Sequence, residues 1–176
     1  PRLYANVAAA RPGLALDGVL VERVAPPGVE VVVAARRDPA WGTSVLVGLG
    51  GIWIEALGDV RILSADAGQG EIHHELTQLR GHGILAGRRG QPASDVRALA
   101  RAIVLVGAAV AATPALAELE INPLRVLPDG HGVLVLESSA TECRAQLHGL
   151  RTRHQVVAVA VQRKHRRRRR RLDQAM

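Results

Sequence analysis

Glu118, Glu120 and Asn122 alternate along ELEINPLRVLPDG (118–130), and Glu137 follows in VLVLES (133–138). On a strand, residues two apart project from one face, and a paired strand of a hairpin brings Glu137 alongside. Carboxylates converging with an amide oxygen form a hard donor set suited to Mg²⁺, which completes its shell with water and substrate phosphates. The same alternation marks any half-buried strand with a solvated face, so spacing alone leaves both readings open. His73-His74-Glu75 has metal-binding residue types, but neighbours on a helix diverge by about 100°. The H-E-x-x-H spacing is not met there, and a solvated helix face is expected. Gly48-Leu49-Gly50-Gly51 is neither G-x-G-x-x-G nor a P-loop. No G-x-S-x-G elbow occurs, and the single cysteine, Cys143, has no identifiable partner for nucleophilic catalysis.

The elements that must position these residues follow from hydrophobic period and turn chemistry. LYANVAAAR (3–11) reads as a short helix stopped by Pro12-Gly13. Gly18 to Val24 and Val29 to Arg36 read as two strands of a hairpin around Pro26-Pro27-Gly28. After the turn Asp38 to Gly42, strands are expected at Ser44 to Leu49 and at Ile52 to Leu63, the latter broken near Gly58. Ile72, Leu76 and Leu79 then recur at helical spacing, with Gly81 as the expected C-terminal cap. Pro92 and Ser94 open a second helix whose buried stripe is Val96, Leu99, Ala100, Ile103 and Val104, and Thr113-Pro114 closes it. Leu124 to Leu127 and Val133 to Leu136 flank the hairpin signal Pro128-Asp129-Gly130. Strands, helices, then strands make the class α+β, with a mainly antiparallel sheet packed with two main helices.

Composition narrows the function further. The 176 residues carry 23 Lys+Arg against 16 Asp+Glu, a formal charge of +7 and a pI of about 11.2. Residues 1–138 hold 12 basic and 14 acidic side chains, a balance of −2, whereas 139–176 hold 11 and 2, a balance of +9. The basicity belongs to the tail. With only Tyr4, Trp41 and Trp53 aromatic and no Phe, Ala, Val, Leu and Ile must fill the core, and a base-stacking platform is excluded. One cysteine excludes an internal disulfide framework and fits a reducing, cytoplasmic setting. Ile103 to Ala112, the best apolar run, is about half the length of a membrane span. No signal peptide is expected, and Pro1 in place of Met points to a processed or cut piece.

GVLVERVAPPGVEVVVAARRDP (18–39), GLGGIWIE (48–55), LRGHGILAGRRGQPASDV (79–96) and ELEINPLRVLPDG (118–130) resemble, in this order, the carboxyl-terminal part of the ATP-grasp domain of ADP-forming acyl-CoA synthetases (acetate–CoA ligases), relatives of the succinyl-CoA synthetase β subunit. The resemblance covers roughly residues 3–138. It implies that Glu22 and the Ala25 backbone contact the adenine end of ATP, and that Glu30 lies near the ribose. Gly50 and Gly51 would lie near the phosphates, although a tight turn alone accounts for them too. It further implies Mg²⁺ ligation by Asn122 of E-x-N-P-L, with Glu120 beside it and Glu137 as the second ligand, a position that usually carries Asp. The reaction implied is acid + CoA + ATP giving acyl-CoA + ADP + phosphate, through an acyl phosphate and a phosphohistidine.

The family's amino-terminal grasp half, with its phosphate-neutralising lysine, finds no match here, nor do the CoA-binding domain and the phosphohistidine segment. The sole lysine is Lys164. No catalytic residue is therefore assigned, and the chain is expected to be an enzyme fragment, inactive alone. Residues 1–138 are expected to form the subdomain, while residues 139–176 match nothing in the family and are expected to be a poorly ordered Arg-rich tail, with its densest charge from Arg163 to Arg171. Such a run suits nucleic acid or anionic lipid, or has no selected role. The alternative function is accordingly a non-catalytic, grasp-derived binding module whose tail binds nucleic acid.

Overall fold

A computed structural model describes residues 2–14, 23–51, 58–88 and 90–142. Along the chain run α1 (Arg2–Ala10), β1 (Val29–Asp38), β2 (Gly42–Leu49), β3 (Val60–Ser64), α2 (Gln69–Thr77), α3 (His82–Leu85), α4 (Val96–Ala112), β4 (Leu116–Val126), β5 (Val133–Val135) and β6 (Ser138–Glu142). The strands form one sheet in the order β3-β2-β1-β4-β5, and β6 pairs with the same edge of β4 as β5, nearer its start. Every pairing is antiparallel. The α+β class and the mainly antiparallel sheet read from the sequence are those observed.

Alternation divides the sheet into two unlike faces. Val31, Val33 and Ala35 of β1, Val45, Val47 and Leu49 of β2, and Leu124 and Val126 of β4 point to one side, all at most 2% exposed. There they meet Leu76 of α2, Leu85 of α3, and Leu99, Ile103 and Val110 of α4. Each buried valine, leucine or isoleucine contributes about 1.5–3 kcal/mol, and valine on strands with leucine on helices replaces the missing phenylalanine. Gly107 lets α4 lie close on the sheet, since a Cβ there would stand 2.8 Å from Val45 Cγ2. The opposite face carries no helix among the described residues, and on it Ile62 is 69% exposed.

The helix ends are fastened by side chains that the hydrophobic pattern does not reveal. Asp95 caps α4: its Oδ1 accepts from the Ala98 amide at 2.9 Å, and its Oδ2 from the Gly132 amide at 3.0 Å in the β4–β5 hairpin. At the other end, Arg37 of β1 donates from Nη2 to the carbonyls of Val110, Ala111 and Thr113, the orphan acceptors of the last turn. Arg61 of β3 donates to the Gln78 carbonyl after α2 and pairs with Glu75 at 3.7 Å.

Two expectations need correction, and a third is tested only in part. The hairpin of Gly18–Val24 with Val29–Arg36 does not form over its described part: Arg23 and Val24 are not strand, and both edges of β1 are taken, by β2 and β4. Residues 18–22 lie outside the described residues. Gly81 is not the C-cap of α2, because Gln78 fills that place. It is the N-cap of α3, with φ at −83° and its amide donated to the buried Asp59 carboxylate at 3.0 Å. Of the strand expected over Ile52–Leu63 with a break near Gly58, the part after the break is observed, from Val60, while 52–57 lie outside the described residues.

Two outcomes test this account of the fold. We expect Asp95→Ala to cost about 2 kcal/mol, since it removes the cap and leaves the Gly132 amide without its acceptor. Thermal melting should fall by several degrees, and Asp95→Asn should recover part of it. Asp38 accepts the amides of Ala40 and Trp41 at 2.8 and 3.0 Å in the β1–β2 turn, and these bonds hold its carboxyl below its ordinary pKa of 3.8. A folded pKa below the unfolded one adds stability that is complete above the unfolded value and disappears as pH falls through the folded one. NMR titration should place the Asp38 midpoint below 3.8; a midpoint at or above that value contradicts the turn geometry.

Candidate functional site on the open face of the sheet

Glu30, Val32, Ala34 and Arg36 alternate onto the open face of β1, as do Leu46 and Gly48 on β2 and Glu118, Glu120 and Asn122 on β4. Glu118 stands opposite Arg36 in the register and Glu120 opposite Ala34. Between Val33↔Ile121 and Val31↔Leu124, β4 holds one residue more than β1, a bulge at Asn122-Pro123. The bulge reverses the alternation, so that Leu124 and Val126 enter the core while Arg125 joins the open face opposite Glu30.

Around Glu30 the predicted residues come together. Its carboxylate forms an ion pair with Arg125 through Oε1. Its backbone carbonyl accepts the Gly50 amide at 2.7 Å. A Cβ on Gly50 would lie 3.1 Å from the Glu30 carbonyl carbon, and Gly51, at φ +60°, brings its backbone beside Glu30 Oε2, which a Cβ there would meet at 3.2 Å. The glycines are therefore required by the approach of the β2 end to β1, in a left-handed conformation at Gly51. Arg125 also reaches back to the segment before β1: its Nη1 donates to the Pro26 carbonyl at 3.3 Å and lies 3.5 Å from that of Ala25. Sequence reasoning missed Arg125, because the strand register and the bulge that aim it are not written in local spacing. Glu22, the remaining adenine-end candidate, lies outside the described residues.

Farther along the same face, Asn122 Nδ2 donates to Glu120 Oε1 at 3.3 Å. Glu137 arrives in the link between β5 and β6 rather than on a paired strand, where its carbonyl accepts the Asn122 amide at 3.1 Å and its side chain is exposed. The side chains of Glu120 and Asn122 are thus in contact, and Glu137 joins them through its backbone. No three His, Cys, Asp or Glu side chains gather into a complete metal cage among the described residues. All-oxygen donors with room for water and phosphate fit Mg²⁺, which is rarely held by protein ligands alone. His73 and His74 are exposed on α2 and Glu75 is engaged by Arg61, so that segment is a solvated helix face. Cys143 and the Arg-rich block lie outside the described residues. No described helix is long and apolar enough to cross a membrane.

Glu30 and Ala34 are four residues apart, about 13 Å along a strand. Arg125 stands opposite the first and Glu120 opposite the second, so the same length of strand separates the two groups of polar residues.

If Gly50 must be glycine for contact, Gly50→Val should lower stability by about 1–3 kcal/mol. Gly70→Ala, at a position on α2 with open space around it, should be neutral or slightly stabilising. Equal effects in denaturant unfolding would remove the contact argument.

Comparison with known proteins identifies the family. The sequence profile of the ATP-grasp domain matches residues 2–141. A trans-feruloyl-CoA synthase from an unknown prokaryotic organism is 41% identical over 137 residues, which are 78% of this chain and 19% of that enzyme. The β subunit of acetate–CoA ligase [ADP-forming] I from Pyrococcus furiosus is 37% identical over 119 residues, 68% of this chain and 51% of the subunit. Among solved structures, the dinucleotide-forming acetyl-coenzyme A synthetase 1 of Ca. Korarchaeum cryptofilum, in complex with coenzyme A and Mg-AMPPCP, superposes with a TM-score of 0.57 at 30% identity, over 62% of this chain and 50% of that one. PH1788 from Pyrococcus horikoshii gives 0.64 at 26% identity, over 81% and 60%. The chain therefore spans between a fifth and three fifths of the proteins it matches. With the match over residues 2–141, the chain belongs to the ATP-grasp family, in the branch carried by ADP-forming acyl-CoA synthetases.

Proposed function

We propose that the open face of the sheet is the nucleotide- and Mg²⁺-contacting wall of an enzyme that converts acid, CoA and ATP to acyl-CoA, ADP and phosphate. One observation carries the reading. In a chain of this family, Glu30, Gly50, Gly51, Glu120 and Asn122 all lie on, or at the edge of, the one sheet face that no described helix covers. A relative of known structure holds Mg-AMPPCP and coenzyme A, which supports ATP and Mg²⁺ as the ligands here.

Each residue has a role that its chemistry suits. Ala25 offers backbone groups to the adenine edge, and the Glu30 carboxylate accepts from ribose hydroxyls. Gly50 and Gly51, without side chains, let a phosphate approach the backbone closely. Glu120, Asn122 and Glu137 would hold Mg²⁺, which when bound supplies positive charge against the outer phosphates. Glu137 keeps the charge of the usual Asp with one methylene more, and its exposed side chain has the freedom to adjust.

Phosphoryl transfer rests on positioning and charge stabilisation. This wall supplies the sugar and metal side. The charge that must neutralise the transferred phosphoryl comes from a facing grasp half, and acyl transfer requires a CoA-binding domain or subunit.

Isothermal titration with Mg-ATP tests the reading. We expect Glu30→Ala and Asn122→Ala each to weaken binding about tenfold or more, a loss of about 1.4 kcal/mol. Affinities unchanged in both variants would contradict it. The 176 residues alone should form no acyl-CoA from acid, CoA and ATP; measurable product would overturn the need for a facing half.

A further inference from the structure

We infer that Arg125 is a positioning residue that locks the Ala25–Pro26 segment and the Glu30 carboxylate into one register on the open face. The inference rests on the nucleotide-wall reading and extends it to a residue outside the assigned site. One guanidinium touches both ends of the proposed sugar-and-base subsite. Nη2 pairs with Glu30 Oε1, and Nη1 donates to the Pro26 carbonyl at 3.3 Å and approaches that of Ala25 at 3.5 Å. Arg125 and Glu30 stand directly opposite in the β1–β4 register, so the pair is held by the ladder itself.

The surroundings are built for this contact. The Arg125 side chain is 20% exposed and that of Glu30 is 34% exposed. Half-buried, the pair is screened less than a surface bridge and is fixed by two arms instead of one. Gly28 makes room for the arginine stem, because a Cβ there would fall 2.9 Å from Arg125 Cγ and 2.5 Å from the Val126 carbonyl oxygen. Without the bulge at Asn122-Pro123, position 125 would face the core.

The chain from 23 to 28 has no strand partner among the described residues, and it includes Pro26 and Pro27, which donate no amide hydrogen bonds. Its anchorage among the described residues is therefore carried in large part by what its carbonyls accept. A planar fork bonds a carboxylate and a neighbouring carbonyl at once, whereas a lysine ammonium serves as a single point charge. Arg125 thereby sets where the Ala25 backbone stands relative to Glu30, which is the spacing a nucleoside must match.

The test uses the full chain with Arg125→Ala and Arg125→Lys, read by ¹⁵N relaxation and by Mg-ADP titration. In the parent, the amides of Val24, Ala25 and Gly28 should show order parameters near the rigid value of about 0.85. In Arg125→Ala they should fall below about 0.6, with Val31 to Ala35 unchanged. Mg-ADP affinity should fall about tenfold in Arg125→Ala, and Arg125→Lys should be intermediate in both readouts. If Arg125→Ala unfolds, the lysine variant alone decides: parent-like values in both readouts overturn the inference. So does a folded alanine variant in which 23–28 stays as rigid as the parent, or in which Mg-ADP binds equally well. A parent that binds no Mg-ADP overturns the nucleotide-wall reading, and the relaxation data then still decide whether Arg125 orders the segment.

Discussion

One extra residue in β4, at Asn122-Pro123, turns that strand's side chains over partway along its pairing with β1. Before it, Glu118, Glu120 and Asn122 face outward while Ile121 enters the core; after it, Leu124 and Val126 enter the core and Arg125 faces outward. A regular strand with this sequence would bury Arg125 and expose Val126, a conflict of several kcal/mol in an apolar interior. The bulge resolves that conflict and also concentrates the polar residues of the strand on one face. The proposed metal donors and the arginine at the sugar end thus share a surface because β4 breaks its period at Asn122-Pro123.

Among the described residues, the rest of the fold leaves that surface without a helix. The helices of the described core pack on the other face, and polar side chains hold their ends: Asp95 at the start of α4, Arg37 at its end, Arg61 after α2. These contacts satisfy backbone groups that would otherwise be orphaned at the helix termini. They also tie α4 to two places on the sheet, the β4–β5 hairpin and the end of β1. An enzyme that orients a nucleotide on strands benefits from that arrangement, since rigid elements hold contact residues more accurately than loops do.

Much of this was legible in the sequence. The β4–β5 hairpin, the long helix with its Leu99 and Ile103 stripe, and the valine strands β1 and β2 follow from period and turn chemistry alone. So does the pairing of Glu120 with Asn122, which needs only two-residue alternation. Non-local facts were not legible. Valine runs at 18–24 and 29–36 read as a hairpin, but β1 is flanked by β2 and by β4, the latter from about ninety residues away. Gly81 has the composition of a helix stop, and the Asp59 carboxylate, brought in from β3's start, makes it a helix start. Arg125 looks like an ordinary solvated arginine until the bulge and register place it beside Glu30.

The central claim is that the sheet face bare of described helices binds nucleotide, and mapping the amide signals of the chain during a Mg-ADP titration tests it most directly. Shifts should concentrate at residues 23–31, 46–51, 120–125 and Glu137, leaving the covered helix Val96–Ala112 in place. Shifts gathered on that helix, or none on the open face at saturating nucleotide, would contradict the account.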